Sequence, residues 1–570
     1  MNPVLQQVLT RLRESTSTAH RSRVSGQLAA DLDAAGIGFA AVGGRFEQRW
    51  LQALSELQSC LSPLGGQQNE ALREGGPYDG AWLESTGTIS AEMLSRFSPT
   101  TAQATLGLFA EHQRNDGMIP YKVTAAGPGY TQIQLVSPLA RSVWNHYLLH
   151  RGSTGGIQWL EKMYRAMARY DDWLMEHRNT RGTSAVEAFC AFDTGHDLSP
   201  RFWFAPDRCP DGDATRYDPQ RPTVPYLAPD LTANVACQRE YLGRIAQELG
   251  EDPEPWSSKW EGSIDALFEY CFDPEDDFFY DRDATGSPVK VQSDVLLRVL
   301  ACEVGDEELF DTSLRRYLMN TAKFLSHYGF TSIALDDPRF DADATRNSWA
   351  GPVNFLSLLR APHAFEHRGR TAELALAAGP VLEALTDAES FPQCLDPFSG
   401  EAGYTGGYSP AILWYLDAVE RYFGILPVSG TKRSWTRADG EPGIWFTGLA
   451  PTQTARGHSE TAAAVAYSRQ VGDMHYELAA DDVEVVTFCN GQQHLRFPRG
   501  WRVETDLQGT PSAAVGVSGG LVDGELRWHG QILRLQLGPN ERAELNIAED
   551  SGELREGQRR RPGFVAPQWN

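Results

Sequence analysis

The sequence is short of basic charge: 51 lysines and arginines stand against 75 aspartates and glutamates, a formal net charge of −24 over 570 residues. Such an acidic surplus repels phosphate backbones and anionic lipid surfaces, so neither nucleic acid nor membrane is an expected partner. Long apolar runs are missing too. No stretch approaches a membrane span, and Met1 to Ser25 is polar and arginine-bearing without an apolar segment of signal-peptide length, which predicts a cytoplasmic address. Eight cysteines (Cys60, Cys190, Cys209, Cys237, Cys271, Cys302, Cys394, Cys489) are scattered singly. They lack the paired spacing of a zinc site and the density of a disulfide scaffold, and are expected to be buried and reduced. No dinucleotide fingerprint and no phosphate-binding loop occur, so no cofactor is expected. No metal is expected either: the acidic run Asp273, Glu275, Asp276 and Asp277 reads as a solvated loop rather than a calcium site.

What the chain does have is helical periodicity, dominant to about residue 424. In Gly156 to His177, Leu160, Met163, Tyr164, Met167 and Leu174 share one face at 3.6-residue spacing. Asn234 to Leu249 repeats the pattern through Tyr241, Leu242, Ile245 and Leu249, with Gly250 as a stop signal. Similar stripes run through Leu139 to Leu148, Trp260 to Cys271, Asp294 to Val304, Leu314 to His327, Thr371 to Leu385 and Ile412 to Phe423. Amphipathic helices separated by loops bearing Gly, Pro and Trp predict a mainly α fold of paired helices stacked in a ring. Past Leu426-Pro427 the texture changes to short alternating or β-branched runs: Ala464 to Arg469, Val483 to Cys489, Leu495 to Phe497, Gly524 to Trp528 and Ile532 to Leu537. These predict a small C-terminal antiparallel β domain. The expected organisation is a catalytic unit over 1–427 with an N-terminal helical extension, a β-sandwich-like domain over 428–550 that covers one face of the barrel, and a loosely ordered tail over 551–570.

Two glycine-bearing loops each present a carboxylate. One is Phe192-Asp193-Thr194-Gly195-His196-Asp197-Leu198-Ser199-Pro200-Arg201; the other is Ser399-Gly400-Glu401-Ala402-Gly403. Cleaving a glycosidic bond needs one carboxylic acid to protonate the departing oxygen and one carboxylate to activate water or attack the anomeric carbon. Asp197 is the candidate acid, beside His196, Arg201, Trp203 and Phe204, where aromatic walls would keep its proton on at neutral pH. Read alone, a Gly-x-Asp loop is more often a turn or a helix cap, and a lone glutamate is usually solvated surface. His196 is more simply a hydrogen-bonding partner of the loop backbone, and any one tryptophan is more often core than sugar platform.

Several blocks in order carry a resemblance. They are Gly76-Pro77-Tyr78 with Trp82-Leu83-Glu84-Ser85-Thr86, His112 to Pro120, Thr131-Gln132-Ile133-Gln134 with Trp144, the Gly-x-Asp-x-Ser-Pro-Arg loop, Arg346 to Asn354 with its Trp349-Ala350-Gly351-Pro352, and Gly400-Glu401 followed by Gly403-Tyr404 and an apolar helix. Together they are similar to glycoside hydrolase families 63 and 37, over roughly residues 45–425. These families contain trehalases, processing glucosidases, and mannosylglycerate and glucosylglycerate hydrolases. The resemblance implies an (α/α)6 toroid barrel and hydrolysis with inversion of an α-linked glucoside or mannoside, a small di- or oligosaccharide or a glycosyl-glycerate. It implies Asp197 as general acid and Glu401 as general base, converging across one cavity with carboxyls about 6.5 to 9.5 Å apart. Trp82, Trp203 and Trp349 are then expected to line the sugar face, and Glu84, Gln132, Arg201, Arg346 and Tyr408 to hold hydroxyls or a substrate carboxylate. For either arginine, an ion pair with a nearby loop carboxylate is the equal alternative. Glu84 stands where family members usually carry an aspartate, which motivates a carbohydrate-binding pseudoenzyme as a second class. A phosphorylase or epimerase on the same barrel is a third.

Overall fold

The computed structural model describes residues 1–15, 22–134, 138–151, 156–430, 442–449, 462–548 and 551–568. The expected helical stripes appear as Leu139–Leu149, Ile157–His177, Pro229–Glu248, Thr371–Asp387 and Ser409–Phe423, each with its apolar face buried. Their ends follow local chemistry. Pro229 occupies the first turn of its helix, where no backbone donor is lost. Asn354 caps Phe355–His367 by accepting from the Leu356 N–H at 2.9 Å, and Gly250, at φ +76°, takes the left-handed turn after Pro229–Glu248.

The packing is cyclic. The segment Thr86–Ser90 and Ala91–Leu94 packs on Leu139–Leu149, which packs on Pro229–Glu248, then Val295–Leu300, then Phe355–His367, then Ser409–Phe423, and the last of these returns to Ala91–Leu94. Outside this circuit, Pro99–Glu111, Ile157–His177, Glu254–Ala266, Thr371–Asp387 and Phe46–Ser59 each lie against a member of it. One stripe behaves differently from expectation. Leu314 to His327 is not a continuous helix: Leu314–Leu318 is a π turn, and the chain then leaves into the hairpin Leu325–Ser326 and Gly329–Phe330. Asn320 ends the helix by donating to the Arg316 carbonyl and accepting from the Ala322 N–H.

The expected strands form two antiparallel sheets. The seven-stranded one runs in the order Gly38–Val42, Ala464–Val471, Met474–Ala480, Glu484–Cys489, Gln492–Pro498, Val522–Trp528 and Gln531–Leu537. The six-stranded one runs Ile425–Val428, Gly443–Thr447, Trp501–Thr505, Pro511–Gly516, Arg542–Ile547 and Leu554–Arg560. Two expected boundaries are corrected. Gly38–Val42 belongs to the sheet, pairing Gly38 with Ser468 and Val42 with Ala464, and the helix Pro3–Ser15 covers that sheet with Leu5, Val8, Leu9 and Leu12. The expected loose tail is instead an edge strand, after which the Val565 N–H donates to Glu373 Oε1 and Gln568 bridges to Asn320. Residues 569 and 570 of that expected tail lie outside the described residues. Gly38–Val42 is fixed by a partner strand far away in sequence, and Leu554–Arg560 by its pairing with the neighbouring strand Arg542–Ile547; strands this short carry too little pattern to announce them.

Candidate active site

A cavity of about 210 Å³ is lined by residues from the loops leading into the inner helices: Glu84 before Thr86, Gln134 before Leu139, Asn347 and Trp349 before Phe355, Gln393 before Ser409. Helix N-termini directed this way favour negative charge. Asp197 is part of the wall.

The loop that carries Asp197 is clamped at its root. Asp193 is fully buried and accepts from Phe189 N–H at 2.8 Å, Ile133 N–H at 3.0 Å and the Arg178 guanidinium at 2.5 Å. Gly195 then turns at φ +68° directly over Glu84, and Leu198 turns back at φ +59°. The Trp349 N–H donates to the Asp197 carbonyl at 3.0 Å, and Asn347 Nδ2 donates to Asp197 Oδ2 at 2.6 Å. Burial pushes the Asp197 carboxyl up to about 7; Glu84 and Asp207 add to this, while Arg208 and the Asn347 amide oppose it.

Two more carboxyls line the cavity. Burial raises Glu84, against the pull of Arg298 and Arg360, and Gln134 Nε2 donates to its Oε2 at 2.5 Å. Glu74 is pushed up to about 8 by burial and by Glu84, while Tyr408 donates to its Oε1 at 2.7 Å. Trp82, Gln132 and Trp349 are also in the wall, as are Tyr78, Tyr121, Lys122, Phe192, Arg208 and Gln393.

Several expected site residues lie elsewhere. Arg201 does not line the cavity: it is buried between Asp230, at 2.9 and 3.0 Å, and Asp281, at 2.8 Å through each of two nitrogens. Two carboxylates saturate its donor fork, so it has no face left for substrate. His196 bonds this network rather than the loop backbone, with Nδ1 at 2.5 Å from Arg201 and Nε2 at 3.0 Å from Asp294; burial and Arg298 lower it to about 3, which keeps it neutral. Trp203 and Phe204 are 58% and 72% exposed, so they are not the walls that bury Asp197. Arg346 faces solvent with Asp341 and Asp343. Tyr408 stands behind Glu74 rather than in the wall. Glu401 does not line the cavity; its side chain is exposed, and its N–H donates to Ser399 Oγ at 3.2 Å beyond the Gly400 turn at φ +70°.

Glu74, Tyr78, Asn347, Arg208 and Gln393 were not singled out from the sequence. Tyr78 and Asn347 lie inside recognisable blocks; Glu74, Arg208 and Gln393 carry no local signature. Among the described residues one group, Cys190, Asp193 and Cys209, has the closeness of metal ligands. It does not fit a cation, because Arg178 already pairs with Asp193 and lies 3.8 Å from Cys209 Sγ, and burial holds the Cys190 thiol protonated.

The family match makes this chain a glycoside hydrolase. Residues 78–410 match the mannosylglycerate hydrolase MGH1-like glycoside hydrolase domain, and the chain belongs to that family. Among solved structures it is similar to the GH63 mannosylglycerate hydrolase from Thermus thermophilus in complex with Tris and D-glycerate: 17% identity, 65% of this chain and 99% of that one, TM-score 0.55. The same enzyme in complex with glucose gives 18% identity, the same coverage and a TM-score of 0.53. A sialidase is similar over 87% of this chain and 44% of its own, at 12% identity and a TM-score of 0.59. No curated protein is matched in sequence.

Proposed function

We propose that the chain is an inverting glycosidase on an (α/α)6 toroid, acting on a small α-linked glucoside or mannoside with Asp197 as general acid. The observation that carries this reading is a carboxyl with its proton affinity raised to about 7, in the wall of a cavity of about 210 Å³. Asp197 gives its proton to the departing oxygen as the bond to the anomeric carbon breaks. A base takes a proton from water on the opposite face, and the free sugar leaves with inverted configuration.

Glu401 is the proposed base. Its turn is flanked by Gly400 and Gly403, and it continues from the wall residue Gln393, whose N–H donates to the Tyr404 carbonyl at 2.9 Å. For Glu401 to reach the water, this turn must move toward the cavity, away from its backbone hydrogen bonds to Asp396 and Cys394. A specific observation favours a second reading for the base: Glu84 lines the cavity and Glu401 does not. For the aglycone, Arg208 and Lys122 in the wall supply the positive charge that a glycerate carboxylate requires.

The test is a panel of α-linked disaccharides and glycosyl-glycerates, with the product anomer followed by NMR in the first minutes. Inversion, and its loss in Asp197→Asn, is the expected result. Comparing Glu401→Gln with Glu84→Gln on a glycosyl fluoride, with azide added to replace the base-activated water, identifies the base. Retention of configuration would overturn the reading.

A further inference from the structure

We propose that Tyr78, Gln393 and Asn347 form a directional hydrogen-bond chain that decides which oxygen of Asp197 carries its proton. They are positioning residues for the general acid, and the inference rests on Asp197 having that role. The links are short and consecutive. Tyr78 Oη donates to Gln393 Oε1 at 3.0 Å, Gln393 Nε2 donates to Asn347 Oδ1 at 2.9 Å, and Asn347 Nδ2 donates to Asp197 Oδ2 at 2.6 Å. A carboxamide has one accepting end and one donating end, so an amide that accepts from one neighbour presents its NH₂ to the next. A polarity imposed at one end therefore propagates to the other.

Tyr78 imposes it. Burial and the negative charge of Glu74 and Asp197 hold its phenol well above the ordinary tyrosine range, so it stays a donor. The three links come from segments far apart in the chain and are separately anchored. Gln393 is only 3% exposed, and its carbonyl accepts from the Phe355 N–H at 3.1 Å. Asn347 lies two residues from Trp349, whose N–H holds the Asp197 carbonyl. With Oδ2 accepting from an amide, the proton is favoured on Oδ1, because a carbonyl oxygen accepts more strongly than a hydroxyl oxygen; an Oδ2–H donating to Asn347 would require reversing every link. The charged groups around Asp197, namely Glu74, Glu84 and Asp207 against Arg208, set how readily the proton is held. The chain sets where it is held and favours the ionised form through the Asn347 donor.

The experiment uses a methyl α-glycoside of the preferred sugar, whose poor leaving group needs the acid, and the matching α-glycosyl fluoride, which does not. In Gln393→Glu, the new carboxylate accepts from both neighbours, so Asn347 turns its oxygen toward Asp197 and the proton moves to Oδ2. The alkaline limb of kcat/KM is expected to rise in pH, and turnover of the methyl glycoside to fall by on the order of 10²-fold. Turnover of the fluoride is expected to fall by clearly less than that of the methyl glycoside, because fluoride departs without the acid's proton. Tyr78→Phe, which removes only the terminal donor, is expected to move the limb the same way by less, and serves if the glutamate variant does not fold. A rise in KM with both limbs unmoved would overturn the chain and leave Gln393 as a sugar contact. Asp197→Asn separates the two ideas: equal loss on fluoride and methyl glycoside would sink the acid assignment itself, whatever the chain does.

Discussion

A side-chain carbon added to Gly195 would stand 2.2 Å from the nearer carboxylate oxygen of Glu84. The loop bearing Asp197 therefore lies directly on a second cavity carboxyl, and after burial Glu84 is the largest influence raising the proton affinity of Asp197.

Gly195→Ala is expected to damage this contact twice, through a left-handed φ of +68° and through the clash. The backbone term alone costs about 1 kcal/mol. Thermal unfolding and kcat should both fall, and in the Glu84→Ala background the additional loss in melting temperature should shrink, because only the backbone term remains.

The raised Asp197 carboxyl gives a pH dependence with a definite sign. If Asp197 is the general acid it works only while protonated, so kcat/KM is expected to fall as pH rises through about 7. The same shift affects folding. Its folded proton affinity exceeds that of the unfolded chain, so native protein binds more protons and loses stability as pH rises from the ordinary aspartate range through about 7. Asp197→Asn should then raise the melting temperature relative to the parent at about pH 8 and leave it nearly unchanged at about pH 4.

Arg201 and Arg346 are expected to separate cleanly. Arg201→Met removes the guanidinium that bridges Asp230 and Asp281, leaving Asp230 to Arg298 alone at 3.5 Å, at a cost of about 3 to 5 kcal/mol in denaturant unfolding. Arg346→Ala removes an exposed pair and should change stability by less than about 1 kcal/mol with KM untouched. A large KM effect from Arg346→Ala would return it to the substrate site.

If the aglycone is a glycerate, Arg208→Gln should raise KM for a glycosyl-glycerate by about tenfold or more and leave a neutral disaccharide nearly unaffected. Equal effects on both substrates would mean that Arg208 acts on Asp197 instead.

Leu5→Ala should destabilise the protein by about 2 to 3 kcal/mol, since Leu5 is fully buried against the sheet that pairs Gly38–Val42 with Ala464–Val471. An unchanged unfolding curve would show that the N-terminal helix does not belong to that core.

The sequence by itself determined the local elements. The helix Ile157–His177 and the strands Glu484–Cys489 and Gln531–Leu537 are written in periodicities that span a few residues, and the glycine after Pro229–Glu248 marks its end for the same reason. It also put the Gly-x-Asp loop and the Trp-x-Gly-Pro block in view. Tertiary structure alone decided which groups meet. Arg201 looked available to a substrate until Asp230 and Asp281, 29 and 80 residues away, were seen to hold it. Glu74 and Gln393 announce nothing locally, yet both line the cavity. Gly38–Val42 reads as part of the helical unit until its partner strand is known. Backbone periodicity is a local property that neighbouring residues impose on one another. The partner of a charge, an amide or an edge strand is chosen by distance through space, and that distance exists only once the chain has folded.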